Sequence, residues 1–322
     1  MLKRLKSSLD PYILSLLATV LLASVLPAQG GGAVVFDGLA GAAIVLLFFL
    51  HGAKLSREAI LAGAGHWRLH LAVLAMTFAV FPLLGLGIAA IPGLPVMVAS
   101  GMLFLTLLPS TVQSSIAFTS IARGNVAAAV CSASFSNLAG MVVTPVLAGL
   151  VMGGSGAQMS LGSIEKIVWQ LVLPFVAGHL LRPVIGGFVN YHKAMVGYVD
   201  RGSILLVVYA AFSAAVVEGL WHSLPLWELG LILALNVVLL AVVLAATWGL
   251  GGWLGFARAD RIVLLFCGSK KSLASGVPIA GVLFPAAQVG VVILPLMLFH
   301  QIQLMACAVI ARHFAAQDQP PA

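Results

Sequence analysis

The chain has 322 residues, of which 61% are hydrophobic and only 8% charged, with a mean hydropathy of +1.14. That composition excludes a soluble globular domain, in which about 45–50% of residues are apolar and about 25% charged. The net charge of +7 and pI near 9.7 are explained by where the basic residues fall along a membrane topology, so no nucleic acid is expected as a partner.

Ten apolar runs follow one another, at 11–26, 34–51, 67–90, 95–122, 126–152, 164–185, 202–220, 226–254, 262–284 and 287–311. Each is about long enough to cross a hydrocarbon core roughly 30 Å thick at 1.5 Å per residue. Their continuity predicts helices, since barrel strands alternate apolar and polar positions over about ten residues. With the amino terminus cytoplasmic, Lys3, Arg4, Lys6, Lys54, Arg57, Arg68, Arg123, Arg182, Lys193, Arg201, Arg258, Arg261 and Arg312 all fall on the cytoplasmic side and only Lys166 outside. Retention of positive residues inside predicts both termini in the cytoplasm, in the inner membrane if the source is bacterial. The start MLKRLK and the run ending in LPAQG also fit a signal peptide, but cleavage there inverts the charge pattern of every later loop. Cys131, Cys267 and Cys307 are widely spaced inside predicted helices and read as packing residues rather than a disulfide or zinc framework.

Two runs are interrupted. The fourth contains LPSTVQSS, where Pro109 removes a backbone donor and Ser110, Thr111, Gln113, Ser114 and Ser115 crowd polar groups together. The ninth contains CGSKKSLASGVP, with Gly268, Ser269, Lys270, Lys271, Ser272, Gly276 and Pro278. Each is fourth in its set of five, and an odd number of spans per half inverts the second half relative to the first. Matched interruptions in inverted halves point to the binding site of a secondary transporter. The chain accordingly reads as a first repeat over 1–160 and a second over 161–322.

An intramembrane lysine costs roughly 2.5–3.5 kcal/mol on insertion scales, so the pair marks a functional site unless it snorkels to an interface. Lys270 lies nine residues beyond Arg261, about 13 Å of helical rise, too deep for easy escape. Asp37, Glu165, Glu218 and Glu228 sit near outer ends of their segments, and the other acids are assigned to cytoplasmic loops or tails. A positive site without an acid at its depth favours an anionic ligand, helped by helix amino termini at the breaks. His300 in LFHQIQL, with Gln301 and Gln303, is a candidate cavity residue or a hydrogen-bonded structural one; His51 and His179 fall near helix ends, and the remaining histidines are assigned to loops or tails.

The segments LPSTVQSSIAFTSIARGNVAAAVCSASFSNLAG, LVLPFVAGHLLRP and RIVLLFCGSKKSLASGVPIAGVLF resemble the bile acid:sodium symporter superfamily, and more closely its SBF-like branch, with the likeness running over essentially the whole chain. The resemblance implies ten helices, a panel domain from helices 1, 2, 6 and 7, and a core domain from helices 3–5 and 8–10. In that core helices 4 and 9 unwind and cross beside the cation and substrate sites. Sodium-coupled members resemble one another in a glutamate and, four residues on, a glutamine on helix nine, where this chain has Phe266 and Lys270. A helix-three glutamine of those members corresponds to Thr77, five residues before Pro82. Sodium needs several oxygen ligands, and an ammonium supplies none while repelling the ion. For the second sodium site Ser114 and Ser115 match the helix-four pair, but the helix-five hydroxyls fall on Ala129 and Ala133. Ser132 and Ser136, four apart on one helical face, are candidates in their place, together with Thr77; close helix packing by small residues is the simpler account of them.

The expected fold is thus an all-α polytopic membrane protein of ten helices in two inverted five-helix repeats. The expected function is alternating-access transport of a small organic anion, with Lys270 in the old cation position cycling a proton and Lys271 touching substrate. Gln113, Ser114, Ser115, Ser269, Ser272 and His300 complete the expected substrate and coupling set. No cofactor or metal is expected, sodium remaining tied to one alternative, sodium-coupled symport of a bile-acid-like or other organic anion. The alternative of another class is an intramembrane enzyme acting on a lipid, against which stands the lack of paired acids to hold magnesium.

Overall fold

The computed structural model describes residues 11–54, 64–152, 165–223 and 225–317. Lys3, Arg4, Lys6 and Arg57, and the expected boundary at 160/161, lie outside the described residues. Among those described there is no strand. The helices in chain order are α1 (Pro11–Val25), α2 (Gly31–Lys54), α3 (Trp67–Ala89), α4 (Val96–Leu107), α5 (Gln113–Ile121) and α6 (Val126–Met152). They continue as α7 (Glu165–Tyr191), α8 (Lys193–Val217), α9 (Leu226–Trp253), α10 (Arg258–Gly268), α11 (Leu273–Leu283) and α12 (Ala286–Gln317).

Among the described residues eight stretches are long and apolar enough to cross a membrane; the first and fourth runs hold the shorter apolar helices α1 and α4. Runs six and seven extend further than their hydropathy suggests. Residues 186–201, expected as a loop, are helical on both sides of His192, because a helix continues past the hydrocarbon core once its polar residues reach water or partners. The ninth run differs from the others in depth. Over α10 and α11, 94% of the most apolar window is buried, against 28% for α9, so this segment is a protein centre and α9 presents a broad outer face.

The chain divides into two compact units. The first comprises residues 1–55, 151–226 and 277–294, and its most extensive helix pairing is α2 on α7. That pairing is made backbone to backbone. A Cβ placed on Gly52 would overlap the carbonyl oxygen of Phe175, and one on Gly178 would overlap that of Phe49. Small residues that let membrane helices approach this closely replace the hydrophobic driving force that lipid cannot supply. Lys54 closes one end of the pair by an ion pair with Asp200 of α8. Asp200 was expected in a loop; it is instead helical and 8% exposed, which the ion pair makes tolerable. We expect Gly178→Leu to abolish a monodisperse folded peak after detergent extraction. Gly187→Ala on the same helix, where an added Cβ meets nothing within 4 Å, should leave the peak unchanged. A folded Gly178→Leu protein would contradict this account of the packing.

The second unit comprises residues 56–150, 227–276 and 295–322 and contains both helix interruptions. The first follows from local sterics. Leu108 precedes a proline, is driven out of the helical region, and sits at φ −76°, ψ 155°, so α4 stops at Leu107. The second comes where α10 reaches Gly268 and Ser269 at φ −102°, ψ 1°. The two interruptions touch: the Ser272 backbone N–H donates to the Pro109 carbonyl at 2.8 Å.

Candidate functional site

A helix that ends inside a membrane protein leaves carbonyls that must find partners. At the end of α4 several of these partners are identifiable. Leu105 accepts from the Leu108 N–H at 3.4 Å, since Pro109 has none to offer. Leu107 accepts from the Thr144 hydroxyl at 2.8 Å. Pro109 accepts from Ser272. The carbonyls of Thr106 and Leu108 both accept from the Lys271 ammonium, at 2.8 and 2.6 Å.

The third bond of that ammonium goes to the Thr77 carbonyl of α3 at 2.9 Å, and the reason this oxygen is available is also local. Residues Met76–Val80 form a π-helical turn in which the Phe81 N–H reaches back to Met76. In that register the partner of Thr77 is residue 82, a proline without an N–H. Gly85 lets Thr106 come close to α3, because a Cβ there would overlap the threonine hydroxyl. The Phe81 ring covers the ammonium at 4.1 Å. All three donors of Lys271 are therefore spent on backbone oxygens, in the electronegative end of α4.

The backbone of Lys271 is held as firmly as its side chain. Gln303 of α12 accepts from the Lys271 N–H at 2.9 Å and donates to the Lys271 carbonyl at 2.9 Å. The amide's orientation is set by this pair, and its nitrogen lies 2.8 Å from His300 Nδ1. Three further groups at the second break find partners nearby. Ser269 donates to Leu265, Ser115 donates to the Phe266 carbonyl at 2.9 Å, and Ser272 caps α11 by accepting from the Ser275 N–H at 3.2 Å.

Lys270 is placed differently. It too is fully buried, so neither lysine snorkels, but its ammonium has the Ser114 hydroxyl at 3.4 Å and the ring faces of Phe118 at 4.4 Å and Phe266 at 5.6 Å. Among the described residues no carboxylate pairs with either lysine. The two neighbours thus differ in their partners: the Lys271 ammonium is engaged by three backbone oxygens, and that of Lys270 by one hydroxyl and two ring faces.

The other expected residues separate into several groups. Thr111 bridges Ser114 at 2.8 Å and Ser115 at 3.0 Å, which keeps these hydroxyls together beside Lys270. Gln113 opens α5 with an exposed side chain. Each of the candidate cation ligands is hydrogen-bonded within the protein. Ser132 is bonded to His70 at 2.7 Å, Ser136 accepts from the Ser110 N–H at 3.0 Å, and the Thr77 hydroxyl is turned back on Val73. His70, assigned to a loop or tail from the sequence, is a buried residue of α3, made tolerable by Ser132. Gln303, noted only as a neighbour of His300, holds the second break, and its signal was a fully polar amide within a long apolar run. Among the described residues no cluster of His, Cys, Asp and Glu could hold a metal ion, and the three cysteines are free and buried.

Comparison with known proteins adds a family to this geometry. Residues 10–316 match the SBF-like CPA transporter family. A protein of Escherichia coli K12, YfeH, provisionally named a symporter, is 54% identical over 97% of this chain and 94% of its own length. An uncharacterised protein of Pseudomonas aeruginosa is 57% identical over 95% of this chain and 93% of its own. Sodium/bile acid cotransporter 7 of Rattus norvegicus is 27% identical over 83% of this chain and 80% of its own.

Proposed function

Since the chain belongs to the SBF-like CPA transporter family, we propose that it carries a small organic anion across the cytoplasmic membrane by alternating access, without a requirement for sodium. Transport, rather than an enzyme reaction on lipid, follows from the family and the names of its members. The anion is our reading, and the observation that carries it is Lys270: a buried ammonium without a carboxylate, beside the Ser114 hydroxyl and the first turn of α5. A charge in that setting is stabilised by an anion brought from outside, and the amino end of α5 adds its own N–H groups and dipole. Ser114, whose hydroxyl proton is not committed to a backbone carbonyl, would add a donor to the same ligand. Sodium independence is supported by Phe266, Lys270 and Thr77, none of which presents a side-chain oxygen free to ligate an ion at that place.

The same reading takes the ten runs as two inverted five-helix repeats with both termini cytoplasmic. It takes the unit containing the interruptions as the substrate-binding core and the other as the panel. A second reading is sodium-coupled symport of a bile-acid-like anion, favoured by the name of the rat relative. Two measurements separate them. Purified protein should be thermally stabilised by members of a panel of organic carboxylates, sulfonates and phosphates, equally in sodium, potassium and choline chloride at one ionic strength. Proteoliposomes should take up the stabilising anion at rates that agree across the three salts. A saturable, cooperative sodium requirement would install the second reading, and stabilisation by cations or neutral solutes alone would remove the anion.

A further inference from the structure

We propose that the carbonyl oxygens of Thr77, Thr106 and Leu108 form a monovalent-cation site that the chain fills permanently with its own Lys271 ammonium. Three features carry this. The oxygens come from two separate elements, α3 and the end of α4, and converge on one nitrogen at 2.6–2.9 Å. Each is available for a reason unconnected with the lysine: Pro82 deprives Thr77 of its π-turn partner, and the Leu108–Pro109 step ends α4 and strands Thr106 and Leu108. The site is neutral, with no carboxylate among the described residues near it, and is covered by the Phe81 ring. Neutral carbonyls and a ring face suit a monovalent, weakly hydrated cation with N–H donors, whereas divalent ions demand carboxylates.

The cage therefore exists before the lysine enters it, and the tether converts an exchangeable ion into a fixed one. Interrupted helices whose carbonyls need a cation are here held together at any salt composition. This goes beyond the choice of transported solute, which concerns Lys270, and its test reads stability rather than uptake, so either idea can fail without the other.

Lys271→Ala removes three carbons and the ammonium while leaving the cage. The missing group has the composition of n-propylammonium, which serves as the probe. Melting temperatures of wild type and Lys271→Ala are measured in detergent with n-propylammonium, methylammonium, potassium or tetramethylammonium chloride at constant ionic strength. The variant should melt well below wild type in tetramethylammonium, which has no N–H, and recover at least half of the difference, saturably, in n-propylammonium. Wild type should melt alike in all four. Lys271→Met, whose side chain fills the stem volume, should be destabilised and show no such recovery. A Lys271→Ala protein that melts like wild type, that responds equally to n-propylammonium and tetramethylammonium, or that yields no folded protein in any of the salts overturns the proposal.

Discussion

Replacing Gln303 with leucine is expected to lower stability by about 2–6 kcal/mol, the cost of two buried backbone groups left unpaired at about 1–3 kcal/mol each. The amide is fully buried and spans both the N–H and the carbonyl of Lys271, in a stretch of chain with no helix of its own to satisfy them. Leucine matches its volume closely enough that packing does not confound the result. Gln303→Glu separates the two bonds, since a carboxylate still accepts from the N–H but repels the carbonyl. Thermal melts of both variants in one detergent are the measurement. A Gln303→Leu protein within a few tenths of a kcal/mol of wild type would mean that the interruption of the ninth run is held by something other than α12.

Lys270→Ala should have the opposite profile. Loss of a charge-assisted hydrogen bond to a bound anion corresponds to about 1.5–3 kcal/mol, a fall in affinity of roughly 10- to 150-fold. Stability should be unchanged or higher, because the variant removes a buried charge whose partners are one hydroxyl at 3.4 Å and two ring faces. Lys270→Gln restores an oxygen without the charge and should bind the anion between the two. The readout is the anion-induced shift in melting temperature together with uptake, for Lys270→Ala and Lys271→Ala side by side. Equal effects of both substitutions on affinity and on stability would sink the division of labour between the lysines.

Adjacent residues with the same side chain illustrate where reading a sequence stops. Lys270 and Lys271 are indistinguishable by depth or composition, yet one ammonium meets three carbonyls and the other a hydroxyl and two rings. The carbonyls that decide the matter belong to residues 77, 106 and 108, more than 160 positions away, and backbone oxygens leave no trace in residue identity. Ser132 and Ser136 share a helical face as their spacing requires, yet one is taken by His70 and the other by Ser110. Their availability as ligands was never a property of spacing.

The sequence by itself determined that this is a helical membrane protein, where two of its runs are interrupted, and that both lysines fall in the second interruption. Those properties follow from hydropathy, from proline's missing N–H and restricted neighbour, and from the cost of charge in hydrocarbon, all of which act within a few residues. Only the tertiary structure decided which carbonyls remained unpaired after each helix had ended, that Gln303 would hold the second interruption, and that Lys271 rather than Lys270 would meet those carbonyls. A four-carbon stem with three rotatable donors reaches whatever oxygen lies within several ångströms of its root, so its partner is set by the packing of distant segments.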